Sequence, residues 1–313
     1  MIGVRSAMLR VTDLVKYYGD VRAVDGISFA IPGASVFTIL GPNGAGKTTT
    51  LEILEGIRDP DSGEIEVFGV RLKRINRAVK ERMGVLLQEG NFEPYLKVKE
   101  VVALFASFFK SPLSPDAVLA NVALEEKANA YVKTLSGGQK QRLAVGVALV
   151  NDPDLLFFDE PTTGLDPQAR RKIWSIITDL KERGKTIILT THYMEEAEVL
   201  SDNVCIMDHG TIIAKGSPRE LAARLGQETI IEFTAPDLSE DDLASLATCD
   251  KPSDCAVRKD GDLVTVETED LAPTMEHMLA WAGKRDLPLK NMVVRQPNLE
   301  DVFLSLTGRR LRE

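Results

Sequence analysis

Residues Gly41-Pro42-Asn43-Gly44-Ala45-Gly46-Lys47-Thr48 fit G-x-x-x-x-G-K-[ST] without a mismatch. Glycines at these positions let the backbone curl so that successive N–H groups turn inward, as a phosphate cradle requires. An apolar strand runs into the loop and a helix pattern leaves it near Lys47, so a positive helix end faces the same point. Lys47 then reaches β- and γ-phosphates, and the Thr48 hydroxyl ligates Mg²⁺, with Thr49 beside them as a further nucleotide contact.

A second group carries hydrolytic chemistry. Four apolar residues, Leu155 to Phe158, deliver Asp159 and Glu160 at the carboxyl end of a buried strand, where open α/β sheets bind ligands. Asp159 is expected to hold Mg²⁺, directly or through water, and Glu160 to orient or deprotonate the attacking water. Two acids at a strand end are more often just a solvated turn. Following a phosphate loop, and followed by Pro161-Thr162, they are not. Further along the surface chemistry repeats itself: Ser136 is a good helix cap, and Gly137, Gly138 and Gln139 open a second helix with exposed backbone N–H groups, another anion-ready start.

With Leu135, that second start reads LSGGQ, and from about Leu9 to Leu225 the sequence resembles the ABC ATPase family. The resemblance implies that Tyr18 stacks on adenine and that Gln88 touches Mg²⁺ or the attacking water. It makes Asp166, in Gly164-Leu165-Asp166, the aspartate of the D-loop, and His192, after Thr190-Thr191, the switch histidine. It implies ATP and Mg²⁺ as cofactors, with Glu160, His192 and Gln88 as the catalytic set. It also implies two cassettes bound head to tail, each ATP lying between one chain's phosphate loop and the other's LSGGQ. The simplest such assembly is an ATP-dependent homodimer.

These groups need a rigid frame. Apolar alternation and β-branched content predict strands near Leu9–Leu14, Ile27–Ile31, Ser35–Leu40, Glu64–Phe68 and Val85–Leu87. Helical periodicity fills Lys97 to Val132 with one break at Ser111–Pro115, and Pro167–Glu182 reads as a helix between the buried strands Leu155–Phe158 and Thr186–Thr190. Unbroken apolar strands alternating with helices indicate a largely parallel sheet covered on both faces. Val204–Met207 and Thr211–Ala214 read as a hairpin, leaving His209 as a turn residue and His277 as a helix-face residue.

The expected fold class is therefore α/β, a P-loop cassette of residues 1–225 with a helical subdomain near 89–145, followed by a small α+β domain over 226–313. In that second domain the predicted order is β-α-β-β-α-β, an order compatible with a ferredoxin-like unit. A final helix over Leu299–Leu306 has Asn298 as cap and an apolar stripe of Leu299, Val302, Phe303 and Leu306, to be covered by its own sheet or by a partner chain.

Bulk properties exclude several alternatives. A net charge of −9 argues against a general nucleic-acid binder, which wants a basic face. Three cysteines without metal-type spacing read as reduced thiols. The first ten residues hold no signal-peptide pattern, and no apolar run approaches the roughly twenty residues that span a bilayer. If the chain works at a membrane, another polypeptide crosses it. The expected partner is an integral membrane transporter subunit, and the expected location is the cytoplasmic face of the membrane, with the isolated chain soluble. The competing reading, a soluble ABC protein acting on ribosomes or DNA, usually comes with two cassettes in one chain or a coiled-coil insertion, and this sequence has neither. Phe92, Tyr95 and Leu96 either dock a membrane subunit's helix or pack the helical subdomain. The ending Pro297–Arg309 and the stretch His192–Ala197 are similar to ABC-2 type export ATPases, including those of daunorubicin-type drug and multidrug efflux.

Overall fold

The computed structural model describes residues 7–86, 92–225, 229–236, 238–247, 255–285 and 287–308. The chain divides into two compact units, one built on residues 1–218 and the other on 219–310.

The first unit opens with β1 (Ala7–Tyr18), β2 (Val21–Pro32), β3 (Val36–Leu40) and α1 (Lys47–Leu54). Then come β4 (Ser62–Val67), β5 (Val70–Leu72), α2 (Arg77–Lys80), β6 (Met83–Leu86), α3 (Val98–Ala106), α4 (Pro115–Asn121) and α5 (Gly137–Ala148). It continues through β7 (Leu155–Asp159), α6 (Pro167–Glu182), β8 (Thr186–Thr191), α7 (Met194–Leu200), β9 (Asn203–Asp208) and β10 (Thr211–Gly216), and α8 (Pro218–Ala223) starts at the boundary.

These strands form two sheets, where alternation alone suggests one. The two-residue turn between Tyr18 and Val21 folds β1 back on β2, and β4 and β5 add to the other side, giving an antiparallel sheet β2-β1-β4-β5. The six-stranded sheet β10-β9-β3-β8-β7-β6 is parallel except for its last hairpin. Its three central strands, β3, β7 and β8, are buried at every position. Period-two alternation assigns their side chains to two cores. Val36, Leu156, Phe158, Ile187 and Leu189 join the core that includes α3, α4, α5 and α6 residues. Phe37, Ile39, Leu155, Phe157 and Ile188 join the core shared with α1 and the antiparallel sheet. With both faces covered, the carboxyl ends of β3, β7 and β8 are held in one place.

In the second unit β11 (Thr229–Thr234), α9 (Glu240–Ala247), β12 (Cys255–Asp260), β13 (Leu263–Thr268), α10 (Leu271–Lys284), β14 (Lys290–Arg295) and α11 (Leu299–Thr307) follow in order. The sheet order β12-β13-β11-β14, all antiparallel, is that of two interlocked split βαβ units, the ferredoxin-like arrangement. Asn298 caps α11 and Gly308, at φ 68°, ends it. Leu299, Val302 and Phe303 are buried as the stripe requires, but Leu306 is not; it is half exposed. Arg295 bonds both Asp301 and Glu232, tying α11 to the face of the sheet that carries Glu232.

Candidate functional site

The loop before α1 is wedged. Gly46 has φ 99°, a left-handed conformation, and a Cβ there would stand 2.2 Å from the Ala23 carbonyl oxygen. At Gly41 a Cβ would stand 2.3 Å from the Met207 carbonyl oxygen. The β9–β10 turn is stitched to the same place, since Gly210 N donates to Ala45 O at 3.1 Å and Asp25 N donates to Gly210 O at 2.9 Å. The curl is therefore set by tertiary packing as much as by the loop's own glycines.

Lys47, only 4% exposed, donates to the carbonyl oxygens of Gly41 at 2.9 Å and Pro42 at 3.1 Å. Its Nζ lies 3.7 Å from Glu160 Oε1. Burial lowers its pKa, and the Glu160 and Asp159 charges oppose that shift.

Strand register assembles the acids. β7 and β8 pair Asp159 with Thr190, and the Thr190 hydroxyl donates to Asp159 Oδ1 in a short hydrogen bond. The same hydroxyl accepts from Glu160 N at 3.0 Å. Glu160 has φ 46°, a left-handed conformation that a residue with a side chain rarely adopts. The carboxylate sits between partners: Thr163 Oγ1 donates to Oε2 at 3.1 Å, and His192 Nδ1 lies 3.3 Å from the same oxygen. Burial raises the Asp159 pKa, with hydrogen bonds from Thr190 and Thr48 and the Lys47 charge acting against it.

A cleft of about 840 Å³ brings together Tyr18, Asn43, Gly44, Gly46, Lys47, Thr48, Thr49, Glu160 and His192. Gly41, Pro42 and Ala45 form the inner side of the loop, and Asp159 is buried against Thr48 and Thr190. Tyr18 offers a half-exposed ring, with Lys16 Nζ at 5.8 Å and the Arg58 guanidinium at 5.5 Å from its centroid. Gln88 lies outside the described residues. Three residues given no role in the site by the sequence also line or build it: Thr190 through strand register, Arg22 from the start of β2, and His209 from the β9–β10 turn packed on the loop. Thr190 was available from the period of β8; nothing local marks the turn residue His209.

Thr48 and Asp159 offer only oxygen donors beside the phosphate cradle. That donor set suits Mg²⁺, which takes one or two protein oxygens and completes its shell with phosphate and water. Among the described residues no cluster of three or more His, Cys, Asp or Glu forms an all-protein metal cage, as such a site does not need one.

Ser136, Gly137, Gly138, Gln139 and Asp166 line a different cleft, of about 400 Å³, that shares no residue with the first. Ser136 Oγ accepts from Gln139 N at 3.3 Å and Gln139 Oε1 accepts from Ser136 N at 2.9 Å, a capping box that starts α5. Asp166 caps α6, accepting from Gln168 N and Ala169 N at 2.9 Å. A Cβ on Gly138 would meet Ala169 Cβ at 2.7 Å, whereas one on Gly137 would meet nothing within 4 Å. Within this chain, then, Gly138 is required by packing and Gly137 is not.

Of the three residues for which docking and packing were both open, Phe92 and Leu96 pack against the helical core, and Tyr95 is exposed, at 67%. Phe108, at 70%, is more exposed still.

Residues 24–163 match the family model described as ABC transporter. Nod factor export ATP-binding protein I of Ralstonia nicotianae is 40% identical over 311 residues, which is 98% of this chain and 95% of that protein. Among solved structures, cbiO1 from Clostridium perfringens, part of the ABC transporter complex cbiONQ, superposes with a TM-score of 0.63 at 32% identity, covering 70% of this chain and 92% of that one. A dimeric ATP-binding cassette in a post-hydrolysis state, bound to ADP and Pi, gives a TM-score of 0.60 at 26% identity, covering 67% and 98%.

Proposed function

The chain belongs to the ABC transporter ATP-binding family, and from that premise we propose that two copies hydrolyse ATP between them, head to tail, to drive export through a separate membrane subunit. It is the ATP-binding subunit of an exporter. The observation that carries the paired reading is the division of the site. One cleft holds Lys47, Thr48, Glu160 and His192; the other holds Ser136 to Gln139 at a helix N-terminus with a glycine that its own chain leaves uncrowded. A second copy supplies the ligand that Gly137 leaves room for, and the dimeric neighbour bound to ADP and Pi supports the same reading.

In the proposed reaction the curled backbone of Gly41–Lys47 and the N-terminus of α1 bind the phosphates, and Lys47 exchanges its two carbonyl partners for phosphate oxygens. Tyr18 stacks on adenine. Thr48 and Asp159 would hold Mg²⁺, which neutralises charge on the transferred phosphoryl group when bound. Glu160, 3.7 Å from Lys47, aligns the water and takes its proton. His192, held against Glu160, faces the γ-phosphate. The Ser136 hydroxyl and the Gly137 and Gly138 N–H groups of a second copy would close on the same phosphate, excluding water. Tyr95 and Phe108 are proposed to face the membrane subunit, at the cytoplasmic side. Among the described residues no helix is long and apolar enough to cross a membrane, which agrees with a separate subunit doing so.

The test uses the Glu160→Gln chain, in which bound ATP persists. Adding ATP should convert monomer to dimer in analytical ultracentrifugation. Ser136→Arg in that background should abolish the dimer while monomer ATP affinity stays within about twofold, because Ser136 does not touch its own chain's nucleotide. A monomer at saturating ATP, or an affinity lost together with Ser136, refutes the paired site. Co-expression with the membrane subunit and membrane fractionation tests the coupling; retention on ribosomes or DNA instead would favour the soluble alternative.

A further inference from the structure

Glu196 stands in the first turn of α7, close in sequence to His192, and its side chain is wholly buried. A buried carboxylate is unfavourable unless hydrogen bonds satisfy it. Here Oε1 accepts from Thr162 Oγ1 at 2.9 Å and from Trp174 Nε1 at 2.9 Å, while Oε2 is buried without a hydrogen-bond partner. Burial raises the carboxyl's pKa, and the nearby Thr191 hydroxyl, the Trp174 and Thr162 donors and the charge of Arg170 act against that rise.

The two hydrogen-bond partners and the neighbouring Thr191 belong to three different segments. Thr162 lies just after Glu160. Trp174 is on the buried face of α6. Thr191 is the last residue of β8 and precedes His192; its hydroxyl also accepts from Tyr193 N at 3.0 Å, fixing the turn on which the histidine sits. The Tyr193 ring then rests 4.1 Å from the His192 ring and 4.5 Å from the Arg170 guanidinium, centroid to centroid and centroid to carbon. If the position served packing alone, an apolar side chain of similar volume would hold it at least as well. A carboxylate does something an apolar group does not: it gives direction, joining the segment after Glu160 and α6 on one atom of α7, the helix that follows the His192 turn.

We propose that Glu196 is a positioning residue for ATP hydrolysis, locking the His192 turn against the segment that follows Glu160 so that imidazole and carboxylate keep their 3.3 Å approach. The proposal rests on the catalytic reading of Glu160 and His192 given above. It assigns no chemistry to Glu196 itself, which is wholly buried and does not line the cleft of Lys47 and Glu160.

The test is steady-state ATP turnover with separate measurement of ATP affinity. Glu196→Ala should lower kcat about 30-fold, because small displacements of catalytic groups are that expensive, and leave ATP affinity within about twofold. Glu196→Gln retains an acceptor for Thr162 and Trp174 and should recover kcat to within about threefold of the parent. In a His192→Ala background the Glu196→Ala substitution should add less than about threefold, since the histidine it positions is gone. Trp174→Phe keeps the bulk, removes one donor and should lower kcat in the same direction; it carries the test if Glu196→Ala does not fold. The proposal is overturned if kcat stays within about twofold of the parent in Glu196→Ala and Trp174→Phe, if the full loss persists without His192, or if ATP affinity falls in parallel with kcat. His192→Ala alone separates the two readings. If it leaves turnover untouched, the catalytic assignment fails and takes this proposal with it; if it slows turnover while Glu196→Ala does not, only this proposal fails.

Discussion

The two glycine-rich helix starts of the first unit are built from similar parts and do different things. Both present backbone N–H groups and a positive helix end. The one at α1 is surrounded by its own chain: Gly41 and Gly46 are pressed against backbone carbonyls, Lys47 is buried, and two acids are delivered to it by β7. The one at α5 has a capping box and an open glycine, with no buried lysine or acid of its own. On the proposed function, packing makes the first a place for chemistry. Openness then makes the second a place for contact with another copy.

The largest expected effect lies at the first start. Glu160→Gln should lower turnover about 1,000-fold while leaving ATP binding in place, because the phosphates remain cradled and only the water loses its base. A Glu160→Gln chain that hydrolyses ATP near the parental rate removes the chemical half of the contrast. A sharper cut comes from the neighbouring glycines of the second start. Gly138→Ala should lower the melting temperature, since its Cβ meets Ala169 Cβ at 2.7 Å. Gly137→Ala should leave melting unchanged yet slow turnover about 30-fold, because the crowding it creates lies only in the assembled site. Equal behaviour of the two variants would break the comparison.

Tyr18→Ala should weaken ATP binding about tenfold with little change in kcat, as loss of one base–aromatic stack is worth 1–3 kcal/mol. Equilibrium binding of a fluorescent ATP analogue checks it, and Tyr18→Trp should restore affinity. The smallest effect concerns how the two helices end. α5 buries only apolar groups and glycine, whereas α1 ends on Glu55, whose burial pushes its pKa from 4.5 up to about 8. A carboxyl so shifted keeps its proton in the folded chain after the unfolded chain has lost it. Its contribution to stability is therefore complete below about pH 4.5 and disappears as pH rises through about 8. Glu55→Gln should raise the melting temperature at pH 8 by about 4 °C and leave it within about 1 °C at pH 5. An equal shift at both pH values would show that titration is not its cause.

What the sequence revealed of the site, and what it hid, follows from range. Lys47, Thr48, Asp159 and Glu160 are legible because a strand, a turn and a helix start are encoded within a few neighbouring residues. The frame around them was less so. Alternation identifies β1, β2 and β4 as strands, but pairing partners are not written in alternation, and the separate antiparallel sheet emerges only from the tight turn between Tyr18 and Val21. His209 looked like any turn residue because its place in the cleft depends on where a distant hairpin packs. Phe92 and Tyr95 are chemically alike and three residues apart; one is packed against the core and the other is not, a difference settled by the turn of chain before α3. In the second unit the element order was legible almost throughout, since short strands with a Gly261 turn carry strong local signals, while the exposure of Leu306, which sits on the same stripe as the buried Phe303, is not written in the periodicity.

The absence of any shared residue between the two clefts has a kinetic consequence. On the proposed reading, in which a second copy completes the site, the free chain would be a second-order catalyst: its rate per mole would climb with its own concentration and, when dilute, fall in proportion. Two copies held on one membrane subunit no longer need to find each other, because tethering fixes their mutual concentration in the millimolar range whatever the cell contains. On that reading the divided cleft would act as a proofreading of location. A stray copy would bind ATP and keep it; only a copy on station would hydrolyse it.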